Sequence, residues 1–281
     1  MTESDADGWF AGVSPDDVDA GAQAIREGSA DAPTDWPVEA VESGFAEDES
    51  DYYAKLRAAS IQATREAVTE RERADDQQLV HAVRAMDDCE SEANELAERV
   101  AEWAGTLYPD AGTGVEYATK LADIDPETPV ENRVISLARR VAALADERDE
   151  LRTFVEQQAP AVAPNLSNLA GPVLAARLIA LAGGLDSLAK MPGGTVQVLG
   201  AENALFAHLR GHASSPKHGI IYTHEYVRST AHDQRGSAAR TLSGKLVIAA
   251  RIDHYSGEHN SELKEELDRR MATIRSRGAD E

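Results

Sequence analysis

The sequence predicts an all-α protein, built as a long antiparallel coiled-coil helical hairpin followed by a globular helical domain. Three observations carry that expectation. No stretch of the 281 residues alternates apolar and polar positions for long enough to require a sheet. Two stretches, beginning near Leu79 and at Val134, repeat apolar residues at alternating steps of four and three, the seam of a coiled coil. From Ala159 the texture changes to short apolar runs punctuated by Pro164, Pro172, Gly183-Gly184 and Pro192-Gly193-Gly194, as in a folded domain of compact helices.

The elements follow in chain order. Residues 1–50 are rich in Asp, Gly, Ala, Ser and Pro, with Trp9, Phe10, Trp36 and Phe45 as large anchors; they read as a reduced folded cap or as an acidic arm with short docking motifs. A coiled-coil helical region is expected over 51–158. Its first helix is the proline-free run from Asp51 to about Arg73. The next carries Leu79, Val83, Met86, Glu90, Ala93, Ala97, Val100, Ala104 and Leu107 on one seam, and ends at Tyr108-Pro109. Gly112, Gly114, Pro126 and Pro129 mark a loop, and the returning helix carries Val134, Leu137, Val141, Leu144, Arg148, Leu151 and Val155.

The domain over 159–281 begins with helix starts at Pro164 and Pro172. Gly183-Gly184 ends the second helix, and Leu185 to Lys190 adds a turn or two before Pro192-Gly193-Gly194 stops it. Ala201 to Leu209 is helical by pattern, Gly211 to Gly219 is a polar loop, Gln234 to Ile252 is a long helix, and Ser261 to Arg275 is a final charged one.

The formal charge is −22, and it is unevenly placed. Residues 1–160 hold 38 acids and 14 bases; residues 161–281 hold 12 acids and 14 bases. Only six of the 28 basic residues are lysine. Excess carboxylate with scarce lysine fits a halophilic, salt-rich interior, where the Debye length falls to about 3 Å and carboxylates no longer repel strongly, better than the alternative of a mesophilic acidic protein with disordered tails. A back half that resists acidification in such a protein is a candidate surface for an anionic partner. The acidic start argues against a secretory signal. The most apolar stretch, Ala159 to Ala189, contains three prolines and Arg177 and makes a poor bilayer span, so a cytoplasmic protein with no membrane partner is expected.

Enzymatic motifs are missing. Cys89 is the one cysteine, so neither an internal disulfide nor an all-cysteine zinc site is available. Seven of eight histidines lie between His208 and His259, yet His224-Glu225 is followed by Arg228 where a zinc-protease motif needs histidine. Ser243-Gly244-Lys245-Leu246 lacks the glycine and hydroxyl positions of a phosphate loop. No nucleophile elbow or dinucleotide fingerprint is present. The expectation is a non-enzyme with no catalytic residue, no cofactor and no metal site.

The basic helix near Gln234 is more informative. Ala239, Leu242, Leu246, Ala249 and Ala250 fall on one face at 100° per residue; Arg240 and Arg251 point away, with Lys245 on a flank. Just upstream, Pro216-Lys217-His218-Gly219-Ile220-Ile221-Tyr222 offers a cation, a ring and a glycine on a loop. Guanidinium groups and a flat ring suit RNA, whose bases stack and whose phosphates accept bidentate arginine. The competing reading is that these arginines pair with the acidic coil.

At these residues the sequence resembles the Nop domain of archaeal box C/D ribonucleoproteins. The matching stretches are Ala163-Pro164-Asn165-Leu166, Gly171 to Gly184, Leu188 to Pro192, Val196 to Phe206, Pro216 to Tyr222 and Ala238 to Asp253. Ala82 to Asp88 and Leu107-Tyr108-Pro109 are similar to the family's coiled-coil domain. The resemblance spans about Asp51 to Arg275 and implies a scaffold that binds a kink-turn of a box C/D guide RNA together with its small ribosomal-protein-like binder. It also implies fibrillarin methyltransferase as a partner, and self-association through the coiled coil at Val83, Met86, Val100, Val134, Leu137, Val141, Leu144, Leu151 and Val155. By the same resemblance Lys190 faces the small binder, His218 stacks on an RNA base, and Arg235, Arg240, Lys245 and Arg251 face RNA; Lys217, the cation of the loop, joins them as a candidate RNA contact. Departures are Asn203 and Ser237, where the pattern has lysine, Glu225 for a proline, and Ala231-His232 for an aromatic pair. The stretch before the coil is shorter than the family's N-terminal domain, which leaves Trp9, Phe10, Trp36 and Phe45 as candidate fibrillarin anchors. The alternatives are a coiled-coil adaptor without RNA binding and, more distantly, a histidine-metal enzyme.

Overall fold

The structure, a computed structural model, describes residues 8–29 and 34–277, and among these every regular element is helical. The chain divides into two compact units, 1–74 and 75–281.

In the first unit, α1 (Val18–Glu27) starts at Asp17, whose carboxylate accepts the Ala20 N–H at 2.9 Å; α2 is Trp36–Glu42, and α3 is Glu49–Arg73. Few large residues are available, so the core is a ring cluster. Phe10, Phe45 and Tyr52 are buried, with Trp9 and Trp36 packed against them. Trp9 meets Phe45 edge-on at 5.2 Å and its indole N–H donates to the Tyr52 hydroxyl at 3.3 Å. Gly21 is required by close packing, since a side chain there would meet the Trp9 ring at 3.0 Å and Ala59 at 3.2 Å. The N-terminal residues thus form a folded cap on α3. The unit boundary at 74/75 differs from the expected 50/51 because Tyr52 and Leu56 of α3 belong to this cluster.

The second unit opens with α4 (Asp75–Ala104), α5 (Gly114–Ala122) and α6 (Pro129–Val162). Helix α6 begins with a capping box between Thr128 and Glu131, and Pro129 occupies a position that needs no N–H donor. Helices α4 and α6 run antiparallel: Leu79, Val83 and Met86 share a core with Val155 and Ala159, while Val100 and Ala104 share another with Val134 and Val141. The expected seam of α4 is buried throughout except at Glu90 and Leu107, which are half-buried. On α6 the buried line is Val134, Ala138, Val141, Ala145, Val155 and Ala159, and Leu137, Leu144 and Leu151 lie half-buried beside it. Small alanines let the two backbones approach, and the leucines cover the edges of the seam. The expected loop over 112–129 contains α5, whose Ala118 and Leu121 close the far end of the hairpin.

Seven short helices and turns and two longer helices complete the unit. Helices α7 (Pro164–Ala170), α8 (Pro172–Ala182), α9 (Leu185–Lys190), α10 (Gly193–Val198) and α11 (Glu202–Leu209) precede a 3-10 turn at Ile220–Thr223. Then come α12 (Glu225–Arg228), α13 (Arg235–Tyr255) and α14 (Glu262–Arg277). Gly193-Gly194 opens α10 instead of ending α9, since Pro192 sits at its cap and Met191 closes the helix before. The expected boundary at 158/159 lies inside α6, because Val155 and Ala159 continue into the core formed by α7, α8 and α13.

Polar clasps lock this core. The Asp253 carboxylate accepts the Asn165 N–H at 3.0 Å, the Asn165 side-chain amide at 2.7 Å and the Leu166 N–H at 2.8 Å. The Asn165 side-chain oxygen Oδ1 in turn accepts the Asn260 N–H at 2.7 Å. At the base of the hairpin Asp76 accepts the Leu185 N–H at 2.9 Å, Arg84 donates to the Ala180 carbonyl at 3.2 Å, and Arg177 pairs with Asp87. Among the described residues no single helix is long and apolar enough to cross a membrane.

Candidate nucleic-acid interface

Helix α13 buries Ala239, Leu242, Leu246, Ala249 and Ala250, the face that its spacing predicts. Arg240 and Arg251 are exposed on the other side. Among the described residues the Arg240 guanidinium has no hydrogen bond or ion pair, whereas Arg251 donates its Nε–H to the Ala189 carbonyl at 2.9 Å, at the end of α9. Lys245 departs from expectation. Helix α14 covers that flank, the Lys245 side chain is only 7% exposed, and its ammonium pairs with Glu266. That pairing holds the Glu266 carboxyl below its ordinary range, and Glu266 also binds Arg270 at 2.8 Å. Lys245 is therefore a structural cation and not one presented to a phosphate.

The loop upstream of α13 is held on α10 by three hydrogen bonds. Gly219 N–H donates to Gln197 at 2.8 Å, Ile220 N–H donates to Leu199 at 2.8 Å, and the Gln197 side-chain amide donates to the Lys217 carbonyl at 2.7 Å. The approach is so close that a Cβ on Gly219 would lie 2.0 Å from the Leu199 carbonyl oxygen. With its backbone fixed, the segment holds Lys217 exposed beside Gly236, at the start of α13.

The His218 ring is stacked on Tyr222, centroids 4.6 Å apart and planes 19° from parallel. Arg235 also lies over the Tyr222 ring, its guanidinium carbon 5.5 Å from the centroid, while its Nε–H donates to the Thr230 carbonyl at 3.1 Å. Burial, followed by the charge of Arg235 and, further down, of Lys217 and His232, pushes the His218 pKa down. At neutral pH the imidazole is thus an uncharged flat ring set among cations. Rings for bases and cations for phosphates, on a rigid backbone, form the chemical set of a single-stranded RNA contact.

A family model described as the Nop snoRNA binding domain, fibrillarin, matches residues 53–273. The chain belongs to the Nop family. A NOP5 family protein of Methanocaldococcus jannaschii is 33% identical over 271 residues, covering 83% of this chain and 66% of that protein. Nucleolar protein 56 of Saccharomyces cerevisiae is 32% identical over 242 residues, covering 70% of this chain and 48% of the relative. Nucleolar protein 58 of Schizosaccharomyces pombe is 34% identical over 218 residues, covering 64% of this chain and 43% of the relative. The chain thus spans just under two thirds of the archaeal relative and under half of these yeast ones. The crystal structure of a fibrillarin/Nop5p complex superposes with a TM-score of 0.55 at 24% identity, covering 92% of this chain and 91% of that one.

Within this Nop fold Lys190 ends α9, mostly exposed, with its ammonium 2.6 Å from Asp186. The hydrogen bond to Asp186 raises the Lys190 pKa, and His254 also approaches Asp186, at 3.1 Å. Lys190, Arg251 and His254 are thereby gathered where α9 meets α13, apart in sequence from the His218 loop. Phe10 and Phe45 are interior, so two of the four expected anchors of the N-terminal unit are taken up by its own core. Asn203 and Ser237 are exposed.

Two features escape sequence reasoning. Tyr222 is the ring beneath His218, and the only hint was its place four residues on. Helix α11 buries none of its residues, leaving Phe206 and Leu209 at 56% and 71% exposed. Their spacing of three gave a helix face, but nothing in the pattern said that the face lacks an internal partner.

Proposed function

We propose that this Nop-family protein is a non-catalytic scaffold of a box C/D guide ribonucleoprotein. It binds a kink-turn RNA loaded with its small binder protein, and holds fibrillarin for 2'-O-methylation of rRNA or tRNA. The observation that carries this reading is the fixed His218–Tyr222 stack with Arg235 on the same ring, together with Arg240, exposed on α13 and without a hydrogen bond or ion pair among the described residues. The RNA contacts on this reading are Lys217, His218, Arg235, Arg240 and Arg251. Lys190, at the end of α9, is assigned to the small binder, and the exposed Phe206 and Leu209 offer apolar area to the same assembly. The hairpin of α4 and α6 serves self-association through faces outside its seam, since the expected contact residues Val83, Met86, Val100, Val134, Val141 and Val155 are buried between the two helices of one chain.

The test is affinity for a kink-turn RNA already loaded with the small binder, measured in the full-length protein against salt. Arg240→Ala is expected to weaken binding about tenfold and to lower the slope of log affinity against log salt by about one, as for loss of a single phosphate contact. Wild-type affinity and slope in both Arg240→Ala and Arg251→Ala would sink the RNA reading and favour an adaptor without RNA. Co-elution with fibrillarin and the sedimentation mass of the free protein test the other two partners.

A further inference from the structure

The ring stack poses a question that base stacking by His218 alone does not answer. An exposed loop histidine has two freely rotating side-chain angles, and ordering it on binding costs affinity. Here the ring is ordered before any ligand arrives. Tyr222 sits in the 3-10 turn that follows the loop and packs half-buried against the main core. Its ring lies flat against His218, so one imidazole face is covered and the opposite face is the one left for a ligand. The Tyr222 hydroxyl has no hydrogen bond among the described residues, so the ring and not the hydroxyl is the part in use. Arg235 rests on that same ring and is tied to the Thr230 carbonyl, which sets a guanidinium at a fixed place relative to the imidazole.

We propose that Tyr222 is a positioning residue for RNA recognition: its ring is the rigid floor that sets His218 and Arg235 as one pre-formed site for an unpaired nucleobase and an adjoining phosphate. The inference rests on the proposed RNA function and names a residue through which it operates. Tyr222 touches no nucleotide; it acts through the two side chains on its ring. The absence of a bond to its hydroxyl predicts that phenylalanine serves as well as tyrosine, while an aliphatic residue of similar bulk fills the core but supplies no flat floor.

The experiment uses the full-length protein and binder-loaded kink-turn RNA, with Tyr222→Phe, Tyr222→Leu and His218→Ala. Tyr222→Leu is expected to weaken RNA binding about fivefold, the loss that follows from ordering a side chain that was previously fixed. Tyr222→Phe is expected to bind as the wild type. A second readout is the His218 imidazole proton resonance in the RNA-free protein. It is expected upfield, under the ring current of residue 222, in wild type and Tyr222→Phe, and at an ordinary position in Tyr222→Leu. Wild-type binding by Tyr222→Leu, with His218→Ala weakened, would overturn the positioning role and leave the RNA reading standing. Wild-type binding by His218→Ala and Tyr222→Leu alike would remove both. If Tyr222→Leu fails to fold, the resonance in the other two proteins decides, since an unshifted His218 proton there overturns the stack itself.

Discussion

The two compact units solve the same problem, packing helices around a core, with opposite materials. The first unit relies on a handful of rings: Trp9, Phe10, Trp36, Phe45 and Tyr52 account for most of its apolar bulk. Among the described residues the second has no buried aromatic; alanines, valines and leucines from ten of its helices share the load. The difference teaches how chain length governs core design. A short segment reaches a core only by using side chains that each bury a large area, whereas a long one can let helices approach through small residues. It follows that damage is concentrated in the first unit and distributed in the second.

The sharpest way to break that contrast is Phe10→Ala. Removing a buried ring with four aromatic neighbours is expected to cost about 3–5 kcal/mol and to melt the first unit, with the unfolding of 75–281 unchanged in calorimetry. In the second unit the corresponding weak point is enlargement and not deletion. Ala97→Leu adds bulk to a fully buried seam position and is expected to destabilise by about 1–3 kcal/mol in urea titration.

A pH test separates the units further. His224 caps α12, its Nδ1 accepting the Tyr226 N–H at 3.1 Å while Nε2 faces the Leu169 carbonyl at 3.0 Å, so the neutral ring is the form that fits. Burial, the largest cause, lowers its pKa in the folded state. The stability it supports is complete above the unfolded value of about 6.5 and is lost as pH falls below that towards the lowered folded value. The unfolding midpoint is expected to drop between pH 7 and 5 in wild type and to drop less in His224→Gln, with His218 supplying the remainder. The smallest effect expected is on the salt slope of RNA binding in Lys245→Met. A cation committed to Glu266 gives the slope nothing to lose, and a fall of about one would return Lys245 to the RNA surface.

Much of the architecture was legible in the sequence, and particular residues explain where it was not. The α4 seam could be read directly because Leu79, Val83, Met86, Ala93, Ala97, Val100 and Ala104 keep strict spacing and all are buried. The α6 seam was harder, since two equally good rows lie side by side and leucines outweigh alanines in any reading by hydrophobicity. Which row faces α4 depends on how near the backbones come, a property of the pair. Helix α5 was hidden by its flanking glycines and prolines, although Val115, Ala118, Leu121 and Ala122 repeat at helical steps. At the candidate site, Arg240 and Arg251 were legible because exposure on one helix follows from period alone. Lys245 was not, since its partner Glu266 comes from another helix, and no local pattern reports a tertiary ion pair. Tyr222 stayed invisible for the same reason: stacking is a statement about two rings in space.

The clasp at Asp253 has a consequence for the order of events in synthesis. It ties the start of α7 to the end of α13, and Asn165 also holds Asn260, so the first residues of the domain find their partners only some 90 positions later. Closing so long a loop is slow and brings its reward late. The loop that carries His218 and the helix that carries Arg240 and Arg251 therefore lack this restraint until Asn260 has been made. The order in which this domain is closed thus runs against the order in which it is made, its earliest residues being the last to be tied down.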